Sequence, residues 1–291
     1  MNLKYLIKFT LFAKNYCSRS RKDGDKRTSF AIIKDMLGVY RRYNVDATQY
    51  LFYKLGVLPE QERTDVLRKI ANKESFMKAY DENWSFLVKY SGFEWQRSRK
   101  KRKQRKDAYI KHYNMGKHCK VQYGVKFIAE HFHIGHLKIE DYVLFARDVD
   151  IDITGDLTIC EGARIAENVK ILTHTHTYFN GEDTHSLDLT PLIIHDHVSF
   201  GARVMVLPGV EEIGRGAVLS SGAIIRKRVP PYAVVSGNPS RVVGFRFTPN
   251  QILEYEKSMY SPENRLPEEL LVQNYKKYYL DNLKEIKSFL M

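Results

Sequence analysis

The chain has 291 residues, 43% of them apolar and 12% aromatic. That is enough for a packed core and, by length, two structural units, which excludes disorder throughout. The formal net charge is +13, but eight cations fall between Arg97 and Lys106 in a stretch without an acid, so the remainder is only mildly basic. Cys17, Cys119 and Cys160 lie far apart with no CxxC pair, which excludes a disulfide framework and a cysteine zinc centre and fits a reducing cytoplasm.

At the N-terminus an apolar stretch is interrupted by Lys4, Lys8 and Lys14. It lacks the unbroken core of a signal sequence, and no segment approaches the roughly 20 apolar residues that span a bilayer. The segment reads as a docking helix, with an amphipathic helix on a membrane as the alternative. From about 28 to 118 apolar residues recur at three and four, as in Phe30, Ile33, Met36, Leu37 and Tyr40, and later Val66, Leu67 and Ile70. This predicts a helical N-terminal domain over 1–118, without a catalytic motif. The basic run 97–106 reads as a solvated helix or linker, or as a surface for nucleic acid, anionic lipid or charged glycan.

The period changes at Val121. Val121, Phe127, His133, Ile139, Phe145 and Ile151 are spaced by six, with Val125, Leu137, Val143 and Val149 as second inward residues. A two-residue slip resets the phase, and Ile153, Ile159, Ile165 and Ile171 follow. After an interruption at 172–193 come Ile194, Phe200, Val206, Ile213, Leu219 and Ile225, with an insertion at Glu211-Glu212. A period of six fits neither helix nor plain strand. It predicts a coil in which each hexad gives one short strand and one corner, three hexads make a turn, and about five turns stack to bury one aliphatic column. Beyond Phe247 an apolar stripe of Leu270, Leu271, Tyr275, Tyr278, Leu283, Ile286, Phe289 and Leu290 predicts a C-terminal helix within a helical segment 248–291.

The coil closes on Val229-Pro-Pro-Tyr-Ala-Val-Val-Ser-Gly-Asn-Pro-Ser240, preceded by Val206-Leu-Pro-Gly-Val210 and Ile213-Gly. This stretch closely resembles the hexapeptide-repeat acyltransferases, in particular the maltose, galactoside and xenobiotic O-acetyltransferases and those of capsule and lipopolysaccharide assembly. The resemblance covers about 121–246. It implies a mainly β fold, a left-handed parallel β-helix over 119–247, a homotrimer, and acetyl-CoA bound in the groove between neighbouring helices. A cytoplasmic O-acetyltransferase acting on a sugar or glycan hydroxyl, with no metal, is the expectation; no nucleic-acid partner is expected and peripheral membrane contact stays open.

Acetyl transfer to a hydroxyl needs a base, and imidazole, with a reference pKa of about 6.5, suits neutral pH. The resemblance places that base in Asn168-Val-Lys-Ile-Leu-Thr-His-Thr-His-Thr177, at His176, with His174 two residues back and on the same side of an extended chain. The polar loop that follows walls the acceptor pocket in relatives. Tyr178 and Asn180 are candidate acceptor contacts, and Glu182 or Asp183 candidate partners of the imidazole. Asp152, in an Asp-x-Thr-Gly-x-Leu stretch, bonds either the acceptor or the histidine, or caps the corner made by the phase slip. Ala202 is placed beside the thioester and Ser221 beside the pantetheine arm. Relatives with serine at the Ala202 position have a side-chain donor that this chain lacks, which leaves a main-chain donor for the oxyanion. A tryptophan common in relatives is Ser199 here. Arg226, Lys227 and Arg241 are implied contacts of the CoA phosphates.

Other readings remain open on the residues alone. Ten histidines, His131, His133, His136, His195 and His197 among them, raise a three-histidine zinc site of the β-helical carbonic anhydrase kind. The basic run raises a trimeric scaffold without catalysis. Within the family, an N-acetyltransferase acting on an amino-sugar nucleotide is the nearest rival.

Overall fold

The computed structural model describes residues 78–130, 134–176 and 187–290. Three parallel sheets form the faces of a prism. The first holds Lys120–Val121, Leu144–Phe145, Arg164–Ile165, Ser199–Phe200, Val218–Leu219 and Ala233–Ser236; Arg241–Phe245 pairs antiparallel with the last of these. The second holds Lys126–Ile128, Asp150–Asp152, Lys170–Ile171, Met205–Val206 and Ile224–Ile225. The third holds Leu137–Ile139, Leu157–Ile159, Leu192–Ile194 and Glu212–Ile213. The chain visits the faces in that order about five times, as the hexads predict.

Register explains the column. Phe145 pairs with Ile165, Ile165 with Phe200, Ile151 with Ile171, and Ile159 with Ile194. Equivalent positions therefore stack, and their side chains are all buried. Each adds about 1.5–3 kcal/mol of transfer free energy that no single turn could realise alone. Corners between the first and second faces turn on left-handed residues at Gly124, Asp148, Asn168, Arg203 and Gly222. Glycine and short polar side chains suit that conformation best.

The strand positions show where the repeat departs from itself. Corners between the first and second faces, and between the third and first, take four residues at every complete turn, as at 122–125, 160–163 and 220–223. All the longer connections lie between the second and third faces, at 129–136, 172–191 and 207–211, together with the phase slip at 153–156. In the first turn the second face ends at Lys126–Ile128 and the third begins at Leu137–Ile139, which pairs with Leu157–Ile159. His133 itself lies outside the described residues.

Helical elements close both ends. Residues 78–90 are helical and Arg99–His112 forms a second helix, N-capped by Ser98, whose side chain accepts from Lys101 N at 3.1 Å. Arg105 is buried in the middle of the basic run and donates to the carbonyls of Tyr90 and Val121 at 2.8 and 2.9 Å. Tyr109 donates to Val125 O at 2.6 Å and joins the core of the coil, as does Met115. The expected seam at residue 118 is therefore a packed interface, and 79–118 belong to the same compact unit as the coil. At the other end the helical segment consists of three helices, Pro249–Met259, Glu268–Tyr278 and Leu283–Leu290. Tyr232, Ile252 and Leu271 make a small second core there. Of the expected stripe, Leu271 and Ile286 are buried, whereas Leu270 and Leu290 are exposed.

Candidate active site

The irregular corner collects polar side chains from three successive turns, buried at Asp152, Thr154 and Thr173 and exposed at Glu130. Asp152 ends its strand on the second face, with its carboxylate 6% exposed. Its Oδ1 accepts from Thr154 N at 2.9 Å; its Oδ2 accepts from Thr173 N at 2.8 Å and from Thr173 Oγ1 at 3.0 Å. His174 Nδ1 lies 2.6 Å from the same Oδ2. Burial alone would push the Asp152 carboxyl up, but the hydrogen bonds from Thr154 and Thr173 and the neighbouring imidazole outweigh it and hold the pKa below the usual value. An ionised carboxylate only accepts, so this contact sets the His174 proton on Nδ1. Glu130 Oε2, from the excursion in the first turn, stands 3.5 Å from His174 Nε2.

Close stacking makes the cluster possible. A Cβ on Gly155 would stand 2.5 Å from Thr173 O, and one on Gly135 would stand 2.4 Å from the Gly155 carbonyl. Side chains at either place would force the turns apart. Gly155 N donates instead to Thr173 Oγ1 at 2.9 Å, and Glu130 N to Thr154 Oγ1 at 2.9 Å. The three turns are thereby tied through hydroxyls whose remaining capacity serves Asp152.

The strand His174–His176 leaves the coil at this point and pairs antiparallel with Leu187–Leu189, His174 opposite Leu189 and His176 opposite Leu187. Among the residues singled out from sequence, Tyr178, Asn180, Glu182 and Asp183 lie outside the described residues. Ala202 and Ser221 come together at the corner between the first and second faces. They line a groove with Arg147, Glu167, Asn168, Arg203 and Gly222. Lys227 and Arg241 meet elsewhere, in a cavity of about 440 Å³ between the last turn and the C-terminal helices, with Arg228, Tyr278 and Asn282 also on its walls. Arg226 does not line it. The Arg241 guanidinium lies 4.6 Å from the centre of the Phe289 ring. Sequence reasoning gave no role to Glu130, Thr154 or Thr173, although Thr154 stands in the Asp-x-Thr-Gly-x-Leu stretch and Thr173 directly precedes His174.

The histidines form no common centre among the described residues. His195 Nε2 is 2.7 Å from Glu212 Oε1, and His174 is engaged by Asp152. Glu140, Cys160 and Asp196 bring their ligand atoms within 4.8 Å of one another. Both carboxylates already face cations, Lys138 at 2.6 Å and Arg215 at 3.1 Å. The Cys160 thiol is pushed up to about 12 by burial and then by Glu140 and Asp196, so it is protonated at neutral pH and a poor ligand.

No family model matches the chain. YvoF of Bacillus subtilis, provisionally named an acetyltransferase, is 36% identical over 109 residues, 37% of this chain and 59% of YvoF. A chloramphenicol acetyltransferase of Klebsiella aerogenes is 43% identical over 60 residues, 21% of this chain and 28% of that protein. The matches thus span less than two thirds of these relatives' own length. Among solved structures, galactoside acetyltransferase in complex with coenzyme A aligns over 67% of this chain and 90% of its own, at 18% identity and a TM-score of 0.49. With its six-residue repeat, its stacked three-faced turns and its curated likenesses, the chain resembles the hexapeptide-repeat acyltransferases.

Proposed function

We propose that the chain transfers the acetyl group of acetyl-CoA to a hydroxyl of a sugar or glycan, using a histidine of the strand His174–His176 as the base. The observation that carries this reading is the contact of His174 with the buried Asp152 carboxylate. With its proton held on Nδ1, the imidazole has its lone pair on Nε2, as a base oriented by a carboxylate requires. This favours His174 over His176, to which the family alignment gives the role.

Acetyl-CoA supplies an activated thioester, whose carbonyl carbon the acceptor oxygen attacks and from which the thiolate departs. His174 takes the hydroxyl proton at Nε2 as the carbon–oxygen bond forms. The resulting imidazolium is held at Nδ1 by the buried Asp152 carboxylate, so charge created in the transition state meets a fixed opposite charge. As the tetrahedral adduct collapses and the carbon–sulfur bond breaks, the same proton passes to the departing sulfur. Main-chain donors near Ala202 hold the oxyanion, Ser221 faces the pantetheine arm, and Lys227 and Arg241 hold phosphate, with Arg226 as an outlying cation. A homotrimer follows from the same reading, because the histidine and the Ala202–Ser221 groove occupy different corners of one chain.

A CoA-release assay across simple sugars, nucleotide sugars, oligosaccharides and polymers tests the reading, with His174→Ala and His176→Ala compared on the best acceptor. The expected result is a loss of kcat of about a thousandfold in His174→Ala with CoA binding retained. Full activity in His174→Ala and loss only in His176→Ala would return the base to His176; full activity in both would end the histidine mechanism. Product analysis separates an O-acetyl from an N-acetyl linkage.

A further inference from the structure

We propose that the corner formed by the end of the helix 78–90, the turn Phe93–Gln96 and the first half of the helix Arg99–His112 docks on an anionic phospholipid membrane surface. The inference is independent of the transfer reading. Arg97, Arg99, Lys100, Lys101, Arg102 and Lys103 are all exposed. Among the described residues none of the six makes an ion pair, whereas Lys106 faces Asp107 and Arg105 is buried against the coil. Helix stability does not account for these cations. The first turn of the helix contains no acid and four bases, at the end where the helix dipole is itself positive. A surface of fixed negative charge relieves that repulsion.

An exposed aromatic group stands close to the cations in the chain: Phe93 is 66% exposed, four residues before Arg97. The pieces are joined: Trp95 Nε1 donates to Lys89 O at 2.7 Å, Arg102 Nη1 to Gln96 O at 2.9 Å, and Arg105 Nε to Tyr90 O at 2.8 Å. A dense group of unpaired cations with an exposed aromatic ring close by in the chain matches the headgroup layer of an anionic bilayer. A soluble sulfated glycan would engage the cations alone and offers no apolar layer for the Phe93 ring.

Trp95 lies in this corner, bonded to Lys89 O, and the other tryptophan, Trp84, lies within the helix 78–90, so tryptophan fluorescence reports on this end of the described residues. The test mixes the full chain with vesicles of phosphatidylcholine, or of phosphatidylcholine with about 30% phosphatidylglycerol. Co-sedimentation and a blue shift with the anionic vesicles only, both lost on raising salt from roughly 0.1 to 0.5 M, are expected. The triple variant Lys100→Glu, Lys101→Glu, Lys103→Glu should bind about a hundredfold more weakly. Acids near the N-terminus suit the helix dipole, so this variant keeps its helix, which circular dichroism checks. Phe93→Ser should weaken vesicle binding several-fold without affecting retention on heparin. Equal binding to neutral vesicles, no binding to either, or capture by heparin or DNA without vesicle association would each overturn the proposal.

Discussion

Asp152 shows how much one side chain can carry in a repeat that is otherwise aliphatic. A carboxylate that is 6% exposed should be costly, yet two threonines and a histidine meet it, and their combined effect keeps it ionised. Because its folded pKa lies below the unfolded one, its contribution to stability is fully present above the ordinary aspartate value of about 4 and is lost as pH falls through the folded value. Asp152→Asn removes that dependence, so the variant's stability should fall less steeply than the parent's below about pH 4. At neutral pH the substitution should cost about 2 kcal/mol, since an amide cannot accept every bond the carboxylate accepts. It should also lower kcat by about a thousandfold, because His174 loses its orienting partner. Acid unfolding followed by circular dichroism and steady-state kinetics check the two effects. An unchanged kcat would show that Asp152 is structural only.

Among elements, the coil was legible and its corner chemistry was not. The aliphatic period marks the strands from Val121 to Ile225, because each inward position must be apolar if it is to stack on its neighbours. Asp152 and His174 could be named, but not joined. They are 22 positions apart, and their meeting depends on Gly155 permitting a close approach of Thr173. The same period also hid the length of the connection between Lys126–Ile128 and Leu137–Ile139, since the six-spacing runs through it without a break. At the far end, the sequence shows an apolar stripe but not what fastens it. Arg215, leaving the corner between the third and first faces, binds Asp196 at 3.1 Å, Glu256 at 2.9 Å and Asn264 O at 2.9 Å, and lies 3.7 Å from the centre of the Tyr260 ring. Glu256 is buried and also accepts from Leu266 N at 2.9 Å and from the Tyr232 hydroxyl. Arg215→Ala strands a buried carboxylate, so it should cost about 3–5 kcal/mol and lower Tm by roughly 10 °C at fixed protein concentration. Glu256→Gln, which keeps most of the hydrogen bonds, should cost less. A Tm within error of the parent for Arg215→Ala would mean that the helices dock by their apolar contacts alone.

For the whole molecule, the two halves of the proposed chemistry stand at different corners of the prism. His174 stands at the corner between the second and third faces, and Ala202 with Ser221 at the corner between the first and second, so a complete face separates them on one chain. In the proposed trimer the histidine corner of one copy stands beside the groove corner of the next, and a closed ring of three would form three equivalent sites. Two inactive variants test this. His174→Ala keeps an intact groove and lacks the base. Ser221→Trp keeps the base and fills the groove, at a position exposed enough to accept the larger side chain without disturbing the column. If each site draws one residue from each of two neighbours, random assembly of equal amounts leaves about a quarter of the sites with both partners intact, and co-expression should restore about a quarter of the parent activity. If histidine and groove act within one chain, every subunit carries a lesion and the mixture stays as inactive as its components. Restored activity that disappears when the variants are purified separately and mixed without subunit exchange would place the shared site at a stable interface.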